Sequence, residues 1–205
     1  MVTSRLHSVF LVLAALFFAS VGPALAFRTV VIDPGHGGRD LGAADSHVYE
    51  KHINLDVSRR LERSLREAGF KTVMTRTRDE FIALSERSAK ANRYRNAIFV
   101  SVHFNSSYRA AALGIETFYR SSNSEKFAQL VQRELIKNVG ATDRGVKTAN
   151  FSVLRRTKHP AILVEGGFIS NKSERSAMLD PQYRQVVADS IARGIIQFKK
   201  RKGLF

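Results

Sequence analysis

The chain has 205 residues and no long polar linker, and its hydrophobic content of 44% suffices for one domain with a sizeable core. It contains no cysteine, which excludes disulfides and cysteine-based zinc sites, so histidines and carboxylates must hold any metal ion. The excess of 33 Lys and Arg over 18 Asp and Glu gives a net charge of +15, which favours polyanionic partners.

The first 26 residues have the features of a secretory signal peptide. Arg5 supplies a positive start, residues 9–18 form an apolar run, and Ala24-Leu25-Ala26 is a small-x-small cleavage site. An uncleaved membrane anchor is the alternative, although the apolar run is short for a span of about 20 residues. We therefore expect a leader over residues 1–26 and a single domain over residues 27–205, which acts in the periplasm or extracellularly at the cell wall.

The surface charge can be interpreted in the light of this location. A cytosolic protein this basic would suggest nucleic acid, but for an exported protein we expect an anionic envelope polymer and no nucleic acid. A merely solvated surface is the alternative, because the basic residues are scattered apart from the tail Lys199-Lys200-Arg201-Lys202.

Hydrophobic patterns predict strands that alternate with helices along the chain. The predicted strands cover residues 29–32, 70–75, 97–102, 114–119 and 161–164, with a short edge strand at 151–154. The predicted helices cover residues 51–68, a segment capped by Asp79 that runs to Tyr94, a segment from a Ser122–Glu125 capping box to Gly140, and a final one from Pro181 capped by Asp180. This order predicts one α/β domain with a mixed, mostly parallel sheet that helices cover on both faces.

Ionisable residues follow three of the buried strands. His36 comes after the first strand in a glycine-rich turn, His103 follows the third, and Glu165 follows the last. Ligands bind at the carboxyl ends of strands in open α/β sheets, so we expect these side chains to converge on one edge. A histidine that only caps local backbone is the alternative for His36. A purely local structural role explains Glu165 less well, because burying a carboxylate at the end of an apolar strand costs free energy unless the group is paired or metal-bound.

Glu50, which opens the first helix, is a fourth candidate, and complementing the helix dipole is its alternative role. Two imidazoles and one carboxylate form a known catalytic zinc set with an open position for water. The remaining carboxylate is then available as general base and acid. His52 lies two residues from Glu50, which points it to another side of the helix.

Six ordered motifs resemble the zinc-dependent N-acetylmuramoyl-L-alanine amidases of the AmiC/CwlV type. They are Asp33–Gly38, Glu50 with Asn54-Leu55, Thr75-Arg76, Ser101–Asn105, Gly114–Phe118 and Val164–Asn171. The resemblance covers residues 28–198 and implies a zinc ion held by His36, Glu50 and His103, with Glu165 as the catalytic carboxylate. It also implies hydrolysis of the amide between N-acetylmuramic acid and L-alanine in peptidoglycan. Asn105, within one motif, is a candidate substrate-binding residue, and we expect a monomer.

The chain departs from some of these relatives in one place. They carry a long insertion after the Gly-x-Glu-Thr strand that folds over the zinc, whereas here Tyr119 lies only a few residues before the helix predicted at Ser122. Two other functions stay open at this point. A zinc peptidase or deacetylase of the wall would use similar ligands, and a non-catalytic wall-binding module would lack a ligand or the base.

Overall fold

A computed structural model of the protein describes residues 27–202. The predicted leader and its cleavage site lie outside the described residues. Within this range no helix has the combination of length and apolar character that crossing a membrane requires.

The described residues form one mixed six-stranded sheet. Its strands, in the order in which they lie side by side, are β4 (Lys71–Met74), β1 (Thr29–Pro34), β5 (Ala97–Asn105), β8 (Ala161–Phe168), β6 (Ile115–Tyr119) and β7 (Asp143–Thr148). All neighbouring pairs run parallel except β6 and β8. A separate hairpin pairs β2 (Ala44–Asp45) with β3 (Val48–Tyr49). The predicted α/β class and mostly parallel sheet are confirmed.

Helices cover both faces of this sheet, as predicted. One face packs against α1 (Glu50–Glu67), α3 (Ser122–Val139) and α6 (Pro181–Lys202), and the other against α2 (Leu84–Asn92) and α4 (Ser152–Arg156). The short α5 (Lys172–Leu179) connects β8 to α6 and contacts both.

The two faces differ in the amount of apolar packing. The larger buried cluster joins the strands to the apolar stripes of α1, α3 and α6, including Leu61, Leu135 and Ile191. The smaller cluster joins Phe99 and Leu163 of the strands to the residues of α2 and α4. Since side chains alternate between the faces of a sheet, the residues two and four positions after Phe99 and Leu163 also point to the less covered face. That face therefore presents the polar residues at the strand ends.

Several predicted boundaries are confirmed to within a few residues. Gly69 and Gly140 follow α1 and α3 with φ of 80° and 70°, the left-handed conformation that ends a helix. Asp180 Oδ1 accepts a hydrogen bond from Gln182 N (2.8 Å) and so caps α6. The connection from β6 to α3 is short, because β6 ends at Tyr119 and α3 begins at Ser122.

Three local predictions were wrong. The segment 151–154 is not an edge strand, because its chain turns into α4 and buries Val153 and Leu154 side by side in the smaller cluster. Asp79 does not cap α2, whose N-cap is Ala83; its carboxylate instead accepts hydrogen bonds from Gly38 N and Lys51 Nζ. The N-cap of α3 is Ser121, which makes no side-chain cap hydrogen bond, so the capping box does not form.

The structure also contains elements that the pattern did not predict. The edge strand β7 has a polar sequence with a central glycine, and each strand of the β2–β3 hairpin has only two residues. Both lack the apolar alternation on which strand prediction depends. For α5 a signal was present, because Asn171 accepts hydrogen bonds from Ser173 N and Glu174 N as an N-cap.

The close packing of α3 against α6 predicts how much stability is lost when a methyl group is added at Gly194. A Cβ at Gly194 would lie 2.6 Å from the Val131 Cα atom, so the two helix backbones must separate in Gly194→Ala. We expect a loss of about 1–3 kcal/mol in unfolding free energy, despite the better helix propensity of alanine. This loss lowers Tm by roughly 2–10 °C, measured by thermal unfolding.

Lys200→Ala, at an exposed position of the same helix, is the control and should change stability by less than about 0.5 kcal/mol. A Gly194→Ala protein as stable as the unchanged chain would contradict the close contact.

Candidate active site

His36 is presented by a tight turn at the end of β1. Its φ of 58° is unusual for a residue with a side chain, and backbone hydrogen bonds in both directions between Gly37 and Asp40 close the turn after it. The preceding Gly35 is required by packing, since a Cβ there would lie 2.2 Å from His103 Cε1. The absence of a side chain at Gly35 therefore lets the two imidazoles approach each other.

A network of buried charged and polar side chains fixes the conformation of this turn. Asp33, fully buried, accepts hydrogen bonds from Thr75 Oγ1 (2.6 Å), Ser101 Oγ (2.8 Å) and Arg87 Nη1 (3.0 Å). Arg87 also donates to the carbonyl oxygens of Pro34 (2.6 Å) and His36 (2.8 Å). The backbone on both sides of Gly35 is thus fixed by one guanidinium.

Arg76 holds the same turn from a second direction. Its Nε donates to Pro34 O (3.1 Å), and its Nη2 donates to Gly35 O and Lys51 O (both 2.8 Å). Burial, and then the charge of Arg87, lower the pKa of Arg76 to about 10. The guanidinium is nevertheless charged at neutral pH, and it links the turn directly to the first residues of α1.

The side chains of His36, Glu50 and His103 lie close together. His36 Nε2 lies 3.1 Å from Glu50 Oε2, and His103 Nδ1 lies 3.0 Å from Glu50 Oε1. The two imidazole rings are 4.9 Å apart at an angle of 78°. One nitrogen or oxygen ligand atom from each residue falls within 4.8 Å of the others, so the three groups can hold a metal ion together.

The surroundings of Glu50 keep its side chain fixed and ionised. Its oxygens accept hydrogen bonds from Phe104 N (3.1 Å), Ala43 N (2.8 Å) and Asn54 Nδ2 (3.0 Å). Burial alone would raise the pKa of Glu50, but its hydrogen bonds with His103 and His36 hold that pKa far below its usual range. A buried carboxylate with this charge is suited to bind a cation.

A further carboxylate orients the first histidine. Asp40 Oδ1 lies 2.8 Å from His36 Nδ1 and so fixes the ring from the side opposite Glu50. Burial lowers the pKa of His36, but hydrogen bonds and charges of Glu50 and Asp40 together raise it above its usual value. Carboxylate–histidine pairs of this kind are common behind metal-binding imidazoles.

Glu165 lies beside His103 on the neighbouring strand. The two residues are register partners in the parallel pair β5–β8, so their side chains share a face of the sheet. Glu165 Oε2 is buried and has no hydrogen-bond partner among residues 27–202. Burial, followed by the charges of Glu50 and Glu116, raises the pKa of Glu165 well above its usual value. The surroundings of this carboxyl group therefore favour its protonated form.

One pocket of about 270 Å³ joins these groups. Its lining includes the polar side chains of His36, His103 and Glu165 as well as apolar ones. The apolar side chains are those of Leu84, Phe151, Val153 and Leu163. A ligand in this pocket can therefore contact both polar and apolar side chains.

Residues 30–197 match the family model described as N-acetylmuramoyl-L-alanine amidase, Amidase_3. The match covers most of the 205 residues. The chain belongs to this amidase family.

Three relatives illustrate the similarity. The chain is 41% identical to the uncharacterized protein YqiI of Bacillus subtilis over 172 residues, which cover 82% of this chain and 83% of YqiI. It is 37% identical to the N-acetylmuramoyl-L-alanine amidase LytC of the same organism over 83% of this chain, but it spans only 35% of LytC. The catalytic domain of CwlV from Bacillus (Paenibacillus) polymyxa superposes with a TM-score of 0.81 at 38% identity, over 84% of this chain and 98% of that domain.

The amidase fold brings four of the predicted site residues together, namely His36, Glu50, His103 and Glu165. The fifth, Asn105, lies at the end of β5 and donates from Nδ2 to Glu116 Oε1 (2.8 Å) instead of lining the pocket. His52 points away, with 57% of its side chain exposed.

The sequence analysis assigned no supporting role to Asp33, Asn54 and Arg76, although they lie within the family-like motifs, and it did not single out Asp40 and Arg87. A signal for Arg87 was available. It falls on the same helical stripe as Leu84 and Ala91, and a charged residue on an apolar stripe indicates a buried partner.

The buried ion pair below the turn predicts a large loss of stability on truncation. Arg87→Met leaves the Asp33 carboxylate buried without its ion-pair partner and removes one hydrogen bond from each of the carbonyls of Pro34 and His36. We expect a loss of about 3–5 kcal/mol in unfolding free energy, measured by urea denaturation of the metal-free protein.

The matched control is Arg78→Met, because the Arg78 side chain is 80% exposed and pairs with Glu80 at the surface. This control should cost at most about 1 kcal/mol. Equal costs for the two changes would show that the buried pair does not support the turn.

Proposed function

We propose that this chain is a peptidoglycan hydrolase that cleaves the amide bond between N-acetylmuramic acid and the L-alanine of the stem peptide. The observation that carries the proposal is the convergence of His36, Glu50 and His103 into one cluster, together with the pocket that His36 and His103 share with the buried Glu165. Membership of the amidase family supports the same reaction.

The donor set fits a zinc ion. Two imidazole nitrogens and one carboxylate oxygen are a usual ligand set for catalytic zinc, which keeps a fourth position open. We propose that His36, Glu50 and His103 hold the ion, with Asp40 fixing the His36 ring. When bound, zinc lowers the pKa of a coordinated water molecule to about 7 and polarises a carbonyl group.

Glu165 then carries the proton in both halves of the reaction. Its raised pKa makes it a base strong enough to accept a proton from the attacking water, and an acid able to return that proton to the leaving alanine nitrogen. The buried Oε2, without another partner among the described residues, is free to do so.

The proposed substrate implies the site of action. Peptidoglycan lies outside the cytoplasmic membrane, so we propose that the chain is exported and acts at the cell wall, in agreement with the signal-like residues 1–26. Its net charge of +15 supports attraction to anionic envelope polymers, which added salt should weaken.

Digestion of purified peptidoglycan tests the proposal, with mass analysis of the products. We expect free L-alanine amino groups on released stem peptides and intact N-acetylmuramic acid at the glycan. New termini within the peptide would indicate a peptidase, and release of acetate would indicate a deacetylase; either result would overturn the proposal.

Loss of a ligand should remove the metal and the activity. His103→Ala and His36→Ala each remove one of three donors, so we expect zinc content near zero after dialysis and no hydrolysis, and Glu50→Ala should at least weaken zinc binding. Zinc is measured by elemental analysis of the same preparations. His52→Ala is the control, because His52 is exposed and lies outside the cluster, and it should keep both zinc and turnover.

Asp40→Asn gives a graded version of this experiment. It keeps the three donors but weakens the hydrogen bond to His36 Nδ1, so zinc affinity should fall by about 10- to 100-fold.

Full zinc occupancy in His103→Ala would refute the ligand assignment.

Glu165→Gln separates metal binding from proton transfer. Glutamine has nearly the same shape but cannot accept the proton, so the fold and the zinc should persist while turnover falls by a factor of about 10²–10⁴. Zinc content and turnover are measured on one preparation, with Glu125→Gln on the exposed start of α3 as control. Near-normal turnover would exclude Glu165 from the mechanism, and loss of zinc would make it a ligand.

A further inference from the structure

A charged cluster lies next to Glu165, and none of its members exchanges a proton in the proposed reaction. Its centre is Glu116 of β6, a residue that is 4% exposed. Asn105 Nδ2 donates to Glu116 Oε1 (2.8 Å), and Arg144 Nε (3.1 Å) and Lys147 Nζ both donate to Glu116 Oε2. Asn105 therefore orients the Glu116 carboxylate, which accepts hydrogen bonds from both cations.

This cluster extends the row of site residues across the sheet. His103 is the register partner of Glu165, and Glu165 is the register partner of Glu116 on the next strand. Register partners point to the same face, with side chains about 5 Å apart. Both cations come from β7, on the far side of β6 from Glu165, and their nitrogen atoms contact the Glu116 carboxylate, so they lie on the side of Glu165 away from His103.

The cluster has spare positive charge and spare hydrogen-bond donors. Two cations against one carboxylate leave a net charge of +1, and the side chains of Arg144 and Lys147 remain 34% and 43% exposed. The Arg144 guanidinium is held over the Phe168 ring at 4.9 Å, and its Nη1 donates to Leu113 O (3.4 Å). Its Nη2 has no hydrogen-bond partner within residues 27–202, so a fixed donor faces solvent beside the site.

We propose that Arg144 and Lys147 bind the free α-carboxylate of the second stem-peptide residue, an inference that rests on the proposed amidase function. That residue is a D-glutamate joined through its γ-carboxyl group, which leaves its α-carboxyl group either free or amidated. An extended chain advances about 3.3–3.6 Å per residue. When the scissile bond lies at Glu165, the second residue's carboxylate reaches the cations, and the third residue lies beyond them.

Two substrates that differ only in this group test the proposal. They are N-acetylmuramyl-L-alanyl-D-glutamate and its D-isoglutamine counterpart, in which the α-carboxyl group is amidated. We expect the unchanged protein to prefer the free acid by about five- to twentyfold in kcat/KM, since charge-assisted hydrogen bonds are the stronger kind. Added salt should reduce this preference.

Lys147→Gln and Arg144→Gln should each lower kcat/KM for the free acid and leave that for the amide nearly unchanged. The ratio of the two values cancels any general loss from altered packing around Glu116. Lys200→Gln is the matched control, because it removes the same charge from an exposed position on α6, which packs on the other face of the sheet. The corresponding product dipeptides, titrated into the protein, give the same comparison without turnover.

The outcomes separate this inference from the function on which it rests. Equal cleavage of both substrates at the muramyl–alanine bond would overturn the carboxylate site alone, as would variants that slow both substrates equally. Cleavage of neither substrate by the folded, zinc-loaded protein would contradict the proposed function, and the carboxylate site with it.

Discussion

The buried pair of Asp33 and Arg87 is the interaction on which the site depends. An unpaired charge inside a protein costs several kcal/mol, and here each charge is compensated by the other and by surrounding hydrogen bonds. The guanidinium is thereby fixed and its other N–H groups hold the carbonyls on both sides of Gly35. A turn with a left-handed histidine would otherwise sample many conformations, and His36 would meet Glu50 only part of the time. The ion pair thereby fixes the conformation of the glycine-rich turn that carries His36.

The sheet supplies the remaining geometry through its simplest property. Side chains alternate between its faces, so residues that follow buried strands at the correct parity appear in a row on one face. The three strands β5, β8 and β6 present His103, Glu165 and Glu116 in register, and the turn after β1 adds His36 at one end. The helices α2 and α4 cover this face only in part, which leaves the pocket open. The opposite face carries the larger core and requires no polar residue at the strand ends.

Local patterns were sufficient for the elements that bury apolar surface. The strands that precede His36, His103 and Glu165 are apolar runs, and α1 has a regular apolar stripe, so both their existence and their convergence could be predicted. The polar strand β7 is held by pairing with β6 and not by burial, which no periodicity reports. The strand prediction for residues 151–154 failed for the opposite reason, since the adjacent apolar residues Val153 and Leu154 resemble a strand although they belong to the short helix α4. The hydrogen-bond partners of Arg76 and Arg87 could not be predicted, because the carbonyl groups to which they donate are distant in sequence.

The charges along the row explain why the pKa of Glu165 is raised. Glu50 is held ionised by its hydrogen bonds with two histidines, and Glu116 lies against two cations. Glu165 lies between these two negative groups with no cation of its own in the described chain, so burial and repulsion both favour its protonated form. A metal cation at the neighbouring histidines would oppose that repulsion and stabilise the ionised form. The same neighbours thus act on both protonation states of Glu165, as the proposed role of general acid and base requires.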